Sequence, residues 1–183
     1  KTPEQIAWIR KAWHLTAQVL DMIEQYVRPW VSTLELDNIM NTFTLKNGGV
    51  SACIDYLGNN KWGKWPTAYT RSTCISLNDV ICHGVPRADE ILKEWDILNI
   101  DVTTVVDGYF GDASRMYTVG VVDPKALELI AVTKKAWMIG IDQVRPGNHF
   151  GNIGYEIAKY AEWLGYSIVR EYKGLDVAVM SYE

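Results

Sequence analysis

Residues 97–119 constrain the fold of this chain more than any other stretch. In ILNIDVTTVV (97–106), Leu98, Ile100 and Val102 fall on one side and Asn99, Asp101 and Thr103 on the other, the period of a strand with two unlike faces. Asp107-Gly108 follows, a two-residue turn signal of the I′ type. The return strand is expected from Tyr109 to about Val119. A hairpin closed at Asp107-Gly108 sets Val106 opposite Tyr109 and Thr103 opposite Asp112. Asp101 and Asp112 are then diagonal neighbours on one face, with backbones roughly 7–8 Å apart if the ladder is regular.

Two carboxylates sharing a sheet face repel, and one would resist ionisation. A hard divalent cation removes that conflict and suits oxygen donors. Two such ions held about 3.5–4 Å apart form a known hydrolytic arrangement. The bland alternative is a solvated acidic face. Arg115 is a conceivable salt-bridge partner, although a regular ladder turns it to the opposite face, and a bulge at Gly111 would disturb the register. His83, in the turn-rich segment Cys82-His83-Gly84-Val85-Pro86, is a further candidate. His14 and His149 are read as structural. Cys74, Cys82 and His83 do not have zinc-finger spacing.

Helices precede and follow this ribbon along the chain. Thr2-Pro3-Glu4-Gln5 opens the first with a capping box, and Ile6, Ile9, Trp13, Leu20, Ile23 and Val27 carry its apolar stripe to Pro29. Ser32-Thr33-Leu34-Glu35 caps a second, which runs through Leu36, Ile39, Met40 and Phe43 to Asn47-Gly48-Gly49. A strand-like stretch begins near Val50, residues 57–68 read as a loop, and Thr73 to Leu77 read as a short strand. After Asp123-Pro124 the order starts again: a long helix, the joint Val144-Arg145-Pro146-Gly147, a helix through Ile153, Ile157, Tyr160 and Leu164 that stops at Gly165, and a strand over Ser167 to Tyr172. The joint repeats Val27-Arg28-Pro29-Trp30, which points to an internal duplication. A single domain over 1–183 is expected, its first half about 1–122 and a partial second half about 123–183.

Composition excludes several classes. Apolar residues make up 48% and charged residues 22%, a globular balance. A formal charge of −4 argues against nucleic-acid recognition. No stretch approaches the roughly 18 apolar residues that span a bilayer. Residues 1–30 lack the layout of a secretory signal. Three cysteines do not make a disulfide scaffold, so they are read as reduced thiols of a cytoplasmic protein.

CISLNDVICHGVP (74–86), DILNIDVTTVVDGYFGDASRMYTVG (96–120) and VREY (169–172) closely resemble the type I, bacterial-type methionine aminopeptidases, from Lys1 to about Gly174. The resemblance implies an α+β, pita-bread fold: two pseudo-symmetric halves around a dinuclear metal site. It implies that Asp112 bridges two divalent ions (Co, Mn, Fe or Zn) and Asp101 holds one. It makes His83 the substrate-contacting catalytic histidine, and places Cys53, Tyr56, Tyr69 and Cys74 around the methionine side chain. A thioether suits such polarizable walls. The implied reaction is removal of the N-terminal methionine from nascent proteins by a metal-held hydroxide. The implied partners are nascent polypeptide N-termini and, secondarily, the ribosome, with the enzyme a monomer.

The sequence departs from the family in three respects. Leu175 stands where the family's next metal-ligating histidine falls, and two glutamate ligands and a later histidine are not found before residue 183. A truncated or frame-shifted form with impaired activity is therefore expected, and a metal-free pita-bread binding module is the alternative. A proline-directed pita-bread peptidase is disfavoured by the CISLNDVICHG segment. The 57–68 loop, with Lys61, Trp62, Lys64 and Trp65, is about ten residues longer than the family's, which loops tolerate cheaply. Finally, Trp13, Trp30 and Trp95, of eight tryptophans, stand where close family members carry glycine. A turn glycine often takes φ > 0, which a bulky side chain resists at about 1–2 kcal/mol. A UGA codon read as tryptophan instead of glycine would give this pattern, as would divergence compensated by packing.

Overall fold

The structure is a computed structural model describing residues 1–57, 59–60, 63–64, 68–169 and 179–181. Its elements, in order, are α1 (Pro3–Ile23), a 3-10 turn (Glu24–Tyr26), α2 (Thr33–Lys46), β1 (Val50–Ser51), β2 (Asn59–Asn60), β3 (Gly63–Lys64), β4 (Cys74–Leu77), β5 (Ile97–Val106), β6 (Tyr109–Thr118), α3 (Pro124–Asp142), α4 (Gly151–Trp163), β7 (Tyr166–Ile168) and β8 (Val179–Ser181). They form two compact units, Lys1–Val122 and Asp123–Glu183.

In the first unit the β5–β6 ribbon pairs without interruption from Ile97↔Thr118 to Val106↔Tyr109. Asp107 (φ 51°) and Gly108 (φ 81°) form its tip, both left-handed as a I′ turn requires. Since β6 takes one edge of β5 along its whole length, β1 and β4 share the other edge, β1 opposite residues 104–105 and β4 opposite 98–101. Burial alternates along β5: Leu98, Ile100, Val102, Thr104 and Val106 are buried against α1 and the residues between them are half-buried on the opposite face. The core continues into α1 and α2 through Leu15, Val19, Ile23, Leu36 and Met40.

Gly111 is not a bulge. A Cβ there would overlap the backbone of Ala12 and Trp13, so the glycine lets β6 lie directly on α1. The hydroxyls of Thr16 and Thr104, 2.8 Å apart, complete this contact, with Gly111 O 2.9 Å from Thr16 and Ala12 O 3.1 Å from Thr104. A buried hydroxyl pair is tolerable only because each finds such a partner.

The expected capping box of α1 is complete at Thr2 and Gln5, and Ser32 caps α2 through the Glu35 N–H. The first helix, however, ends at Ile23 and not near Pro29, tightening into one 3-10 turn before Val27 becomes extended. Proline disfavours helix in the residue before it, and the joint must also reverse at Trp30. The 57–68 reading also needs correction, because β2 and β3 pair there as a minimal hairpin. Trp62, Trp65 and Lys61 lie outside the described residues.

In the second unit Asp123 caps α3, with Pro124 at its first position. The α3 and α4 helices bury Val132, Ala136, Ile157 and Ala161 with Tyr166. Gly165 (φ 81°) ends α4, and β7 pairs antiparallel with β8. The strand expected through Tyr172 is described only to Ile168, and Arg170 to Tyr172 lie outside the described residues, as does Leu175.

The two joints of the repeat share their backbone geometry. Trp30 has φ 75° and its counterpart Gly147 has φ 90°. Trp95 has φ 76°. Neither tryptophan is packed: Trp30 is 86% exposed and Trp95 70%. Trp13 differs, being an ordinary residue within α1.

Candidate metal centre and side-chain pocket

Asp101 and Asp112 occupy the face of the ribbon turned away from α1. Asp101 pairs with Ser114 and Thr103 with Asp112, so the two acids are diagonal neighbours as the hairpin register requires. Both are half-buried. The Thr103 hydroxyl donates to Asp112 Oδ1 at 3.0 Å and restrains that carboxylate. Arg115 is on the other face, where Nη1 donates to Asp21 Oδ1 at 2.7 Å. Burial and the Asp21 carboxylate act on it there in opposite senses, and its pKa is raised. It does not neutralise the aspartate pair.

Beside the acids is a cluster drawn from three segments. Cys74 sits opposite Asp101 in the β4–β5 ladder. Where β1 leaves the same edge, Ala52 N–H still donates to Thr103 O at 3.0 Å, and Cys53 follows. The Ser51 hydroxyl ties the two together, accepting from Cys53 N–H at 3.0 Å and donating to Ser72 O at 2.6 Å. The Cys53 and Cys74 thiols hydrogen-bond each other. That contact holds Cys53 below the usual thiol range against burial, and it pushes Cys74 up, with burial adding to the rise. The charges of Asp101 and Asp112 both act on Cys53, which places the thiols and the acids in one electrostatic neighbourhood.

Tyr69 closes the cluster. Its hydroxyl donates to Thr73 O at 2.8 Å and lies 3.5 Å from Cys74 Sγ and 3.4 Å from Gly84 O. Burial, then the Cys74 contact, raises its pKa. Tyr56 is tied in through its backbone, between Cys53 O and Tyr69 N–H, while its ring is exposed.

His83 is exposed and has φ 56°, an uncommon conformation for a residue with a side chain. The next residue holds it there. Gly84 O accepts from Ile75 N–H at 2.9 Å and Gly84 N–H donates to Ser76 Oγ at 3.1 Å. A Cβ on Gly84 would overlap the Ile75 backbone, so only glycine permits this clamp beside β4. His14 and His149 are both exposed, on α1 and in the loop before α4.

Asp37 escaped the sequence reading. It is buried in α2 and accepts from Ser72 N–H (3.0 Å), Ser72 Oγ (2.7 Å), Thr73 N–H (2.9 Å) and Thr73 Oγ1 (2.8 Å). It therefore fixes the two residues that lead into Cys74. The signal was present: an acid beside Leu36 and three residues before Met40 lies on the apolar stripe of the helix.

The donor set fits a hard divalent cation in kind, with two carboxylates on one face and the basic side chain of β6 turned away. Among the described residues, no three of His, Cys, Asp and Glu converge at ligating distance.

The acid pair of the β-ribbon thus lies beside the thiol-bearing cluster. The chain belongs to metallopeptidase family M24, whose model matches residues 7–179. It is 43% identical over 175 residues to the methionine aminopeptidase of Escherichia coli K12, an alignment covering 95% of this chain and 62% of that protein. Against the methionine aminopeptidase of Rickettsia prowazekii it is 43% identical over 173 residues, 94% of this chain and 62% of the relative. The crystal structure of the Rickettsia prowazekii enzyme superposes with a TM-score of 0.87 at 41% identity, covering all of this chain and 70% of that one. A Bacillus anthracis Xaa-Pro dipeptidase, at 20% identity and TM-score 0.77, shares the fold alone. The α+β, pita-bread fold implied by the motifs is thus the fold of this chain, which spans about 62% of the length of these curated relatives.

Proposed function

We propose that this chain carries the substrate pocket and part of the metal centre of a methionine aminopeptidase that acts on nascent polypeptide N-termini in the cytoplasm. The observation that carries the reading is the placing of Asp101 and Asp112 on one sheet face beside Cys53, Tyr69 and Cys74. Asp101 and Asp112 would hold two divalent ions, which would supply Lewis acidity toward the scissile carbonyl and an anchor for the α-amine. Thr103 holds the Asp112 carboxylate in place. Cys53 and Cys74 offer sulfur to the thioether, and Tyr69 fixes the wall they form. His83, displayed by the Gly84 clamp, donates a hydrogen bond to the substrate near the bond that breaks. A small second residue fits this reading, and the chain works as a monomer with the ribosome as a further contact. Among the described residues, no helix is long and apolar enough to cross a membrane.

The test is calorimetry and native mass spectrometry with Mn²⁺ or Co²⁺, beside hydrolysis of Met-Gly-Met. The expected result is weak metal uptake that Asp112→Asn and Asp101→Asn abolish, with turnover far below that of full-length relatives. Uptake unchanged by either substitution would refute the metal centre. Absence of uptake would leave a metal-free binding module. Preference for Ala-Pro over Met-Ala peptides would make the pocket proline-directed.

A further inference from the structure

Cys53 and Cys74 are far apart in sequence yet adjacent in space, because β1 leaves the edge of β5 where β4 joins it. Their backbones are held from both sides: Ser51 bridges Cys53 N–H and Ser72 O, and Asp37 grips residues 72 and 73. The two sulfurs already share a hydrogen bond, both residues are half-buried, and both cysteines are reduced. Disulfide bonding requires Cβ atoms about 3.5–4.5 Å apart.

We propose that Cys53 and Cys74 form an oxidation-sensitive thiol pair that hydrogen peroxide converts to an intramolecular disulfide. In the first step the Cys53 sulfur attacks the peroxide O–O bond, giving a sulfenic acid and one water. In the second the Cys74 sulfur displaces the sulfenic oxygen, which leaves as water with the thiol proton. Two thiols lose two electrons and two protons, and the peroxide gains both. Disulfides of this kind in reducing compartments are transient and redox-sensing. Both sulfurs belong to the methionine wall proposed above, so oxidation would also close that wall to a thioether. This consequence rests on the aminopeptidase reading, whereas formation of the bond does not.

The reduced 183-residue chain is treated with hydrogen peroxide, and its intact mass and non-reduced peptide map are recorded. The expected result is a loss of two hydrogens, a peptide linking residues 53 and 74, and reversal by dithiothreitol. Alkylation after oxidation labels Cys82 alone, a readout on the wild-type chain that needs no folded variant. Cys82→Ser retains the cross-link, and Cys53→Ser and Cys74→Ser abolish it. A link through Cys82, or separate over-oxidation of each thiol without a link, overturns the proposal. Methionine binding is measured by calorimetry on both forms, with loss expected on oxidation. A cross-linked chain whose reduced form also fails to bind methionine would keep the thiol pair and remove the pocket.

Discussion

Replacing Trp30, Trp95 and Trp13 in turn by glycine and by alanine tests whether the left-handed backbone of the joints is a glycine geometry. The Gly/Ala comparison at one site removes the side-chain burial term, since both variants delete the indole. At φ 75° and 76° an L residue costs about 1–2 kcal/mol over glycine. Glycine loses about 0.5–1 kcal/mol more chain entropy on folding. The difference leaves glycine ahead of alanine by roughly 0.5–1 kcal/mol at positions 30 and 95. Position 13 lies within α1, where glycine is worse than alanine by about 1 kcal/mol. The sign therefore inverts between the joints and the helix, a swing of roughly 2 kcal/mol. Urea unfolding resolves it, provided the slopes of the variants agree. Alanine equal to or better than glycine at both 30 and 95 would refute the reasoning. The same geometry bears on the gene. Compensation by packing is a poor account of side chains 86% and 70% exposed, so codons 30 and 95 are expected to read UGA. UGG at both would remove that explanation.

Three further outcomes follow from the core. Asp37→Ala leaves buried donors of Ser72 and Thr73 without a partner and is expected to cost about 3 kcal/mol or more, read by urea unfolding. Gly111→Ala drives a methyl into the α1 backbone and should cost about 1–3 kcal/mol, whereas an alanine at Gly151, where a Cβ meets open space, should not. Tyr117 donates to Leu20 O at 2.6 Å, and burial pushes its pKa up to about 12. Its folded value lies above the unfolded value of about 10, so its contribution is complete below that pH and is lost as pH rises through 12. Tyr117→Phe should cost about 1 kcal/mol at neutral pH and flatten the alkaline fall in stability measured by circular dichroism.

The ribbon was legible because its information is local. Period-two alternation and the Asp-Gly turn determine register by counting, and the register alone puts Asp101 and Asp112 on one face. The thiol cluster was not legible in this way. Nothing in residues 50–77 says that β1 and β4 share one edge of β5, and Cys53 meets Cys74 only as a result of that sharing. The candidacy of these residues came from motif resemblance and not from pattern. Asp37 was obscured for a related reason: its partners, Ser72 and Thr73, are distant in sequence, so the periodicity of α2 showed a misplaced acid but not its purpose. At Gly111 local reasoning misled, because a glycine in a strand suggests a bulge until the helix that presses on it is known.

The same alternation separates stability from chemistry. On β5 the even-numbered side chains are buried against α1, and the odd-numbered ones, Asp101 and Thr103 among them, project to the other face. A carboxylate pair is a poor contributor to folding, since its charges repel and partial burial raises their cost. It persists here on a ribbon whose opposite face supplies the core, anchored by Thr16, Thr104 and the close approach at Gly111. The Thr103–Asp112 bond then restrains one acid without neutralising it. The one basic residue on β6, Arg115, is sent by strand parity to Asp21 on the opposite face. Strand parity, more than any single interaction, therefore separates the acid face of the ribbon from the face that packs on α1.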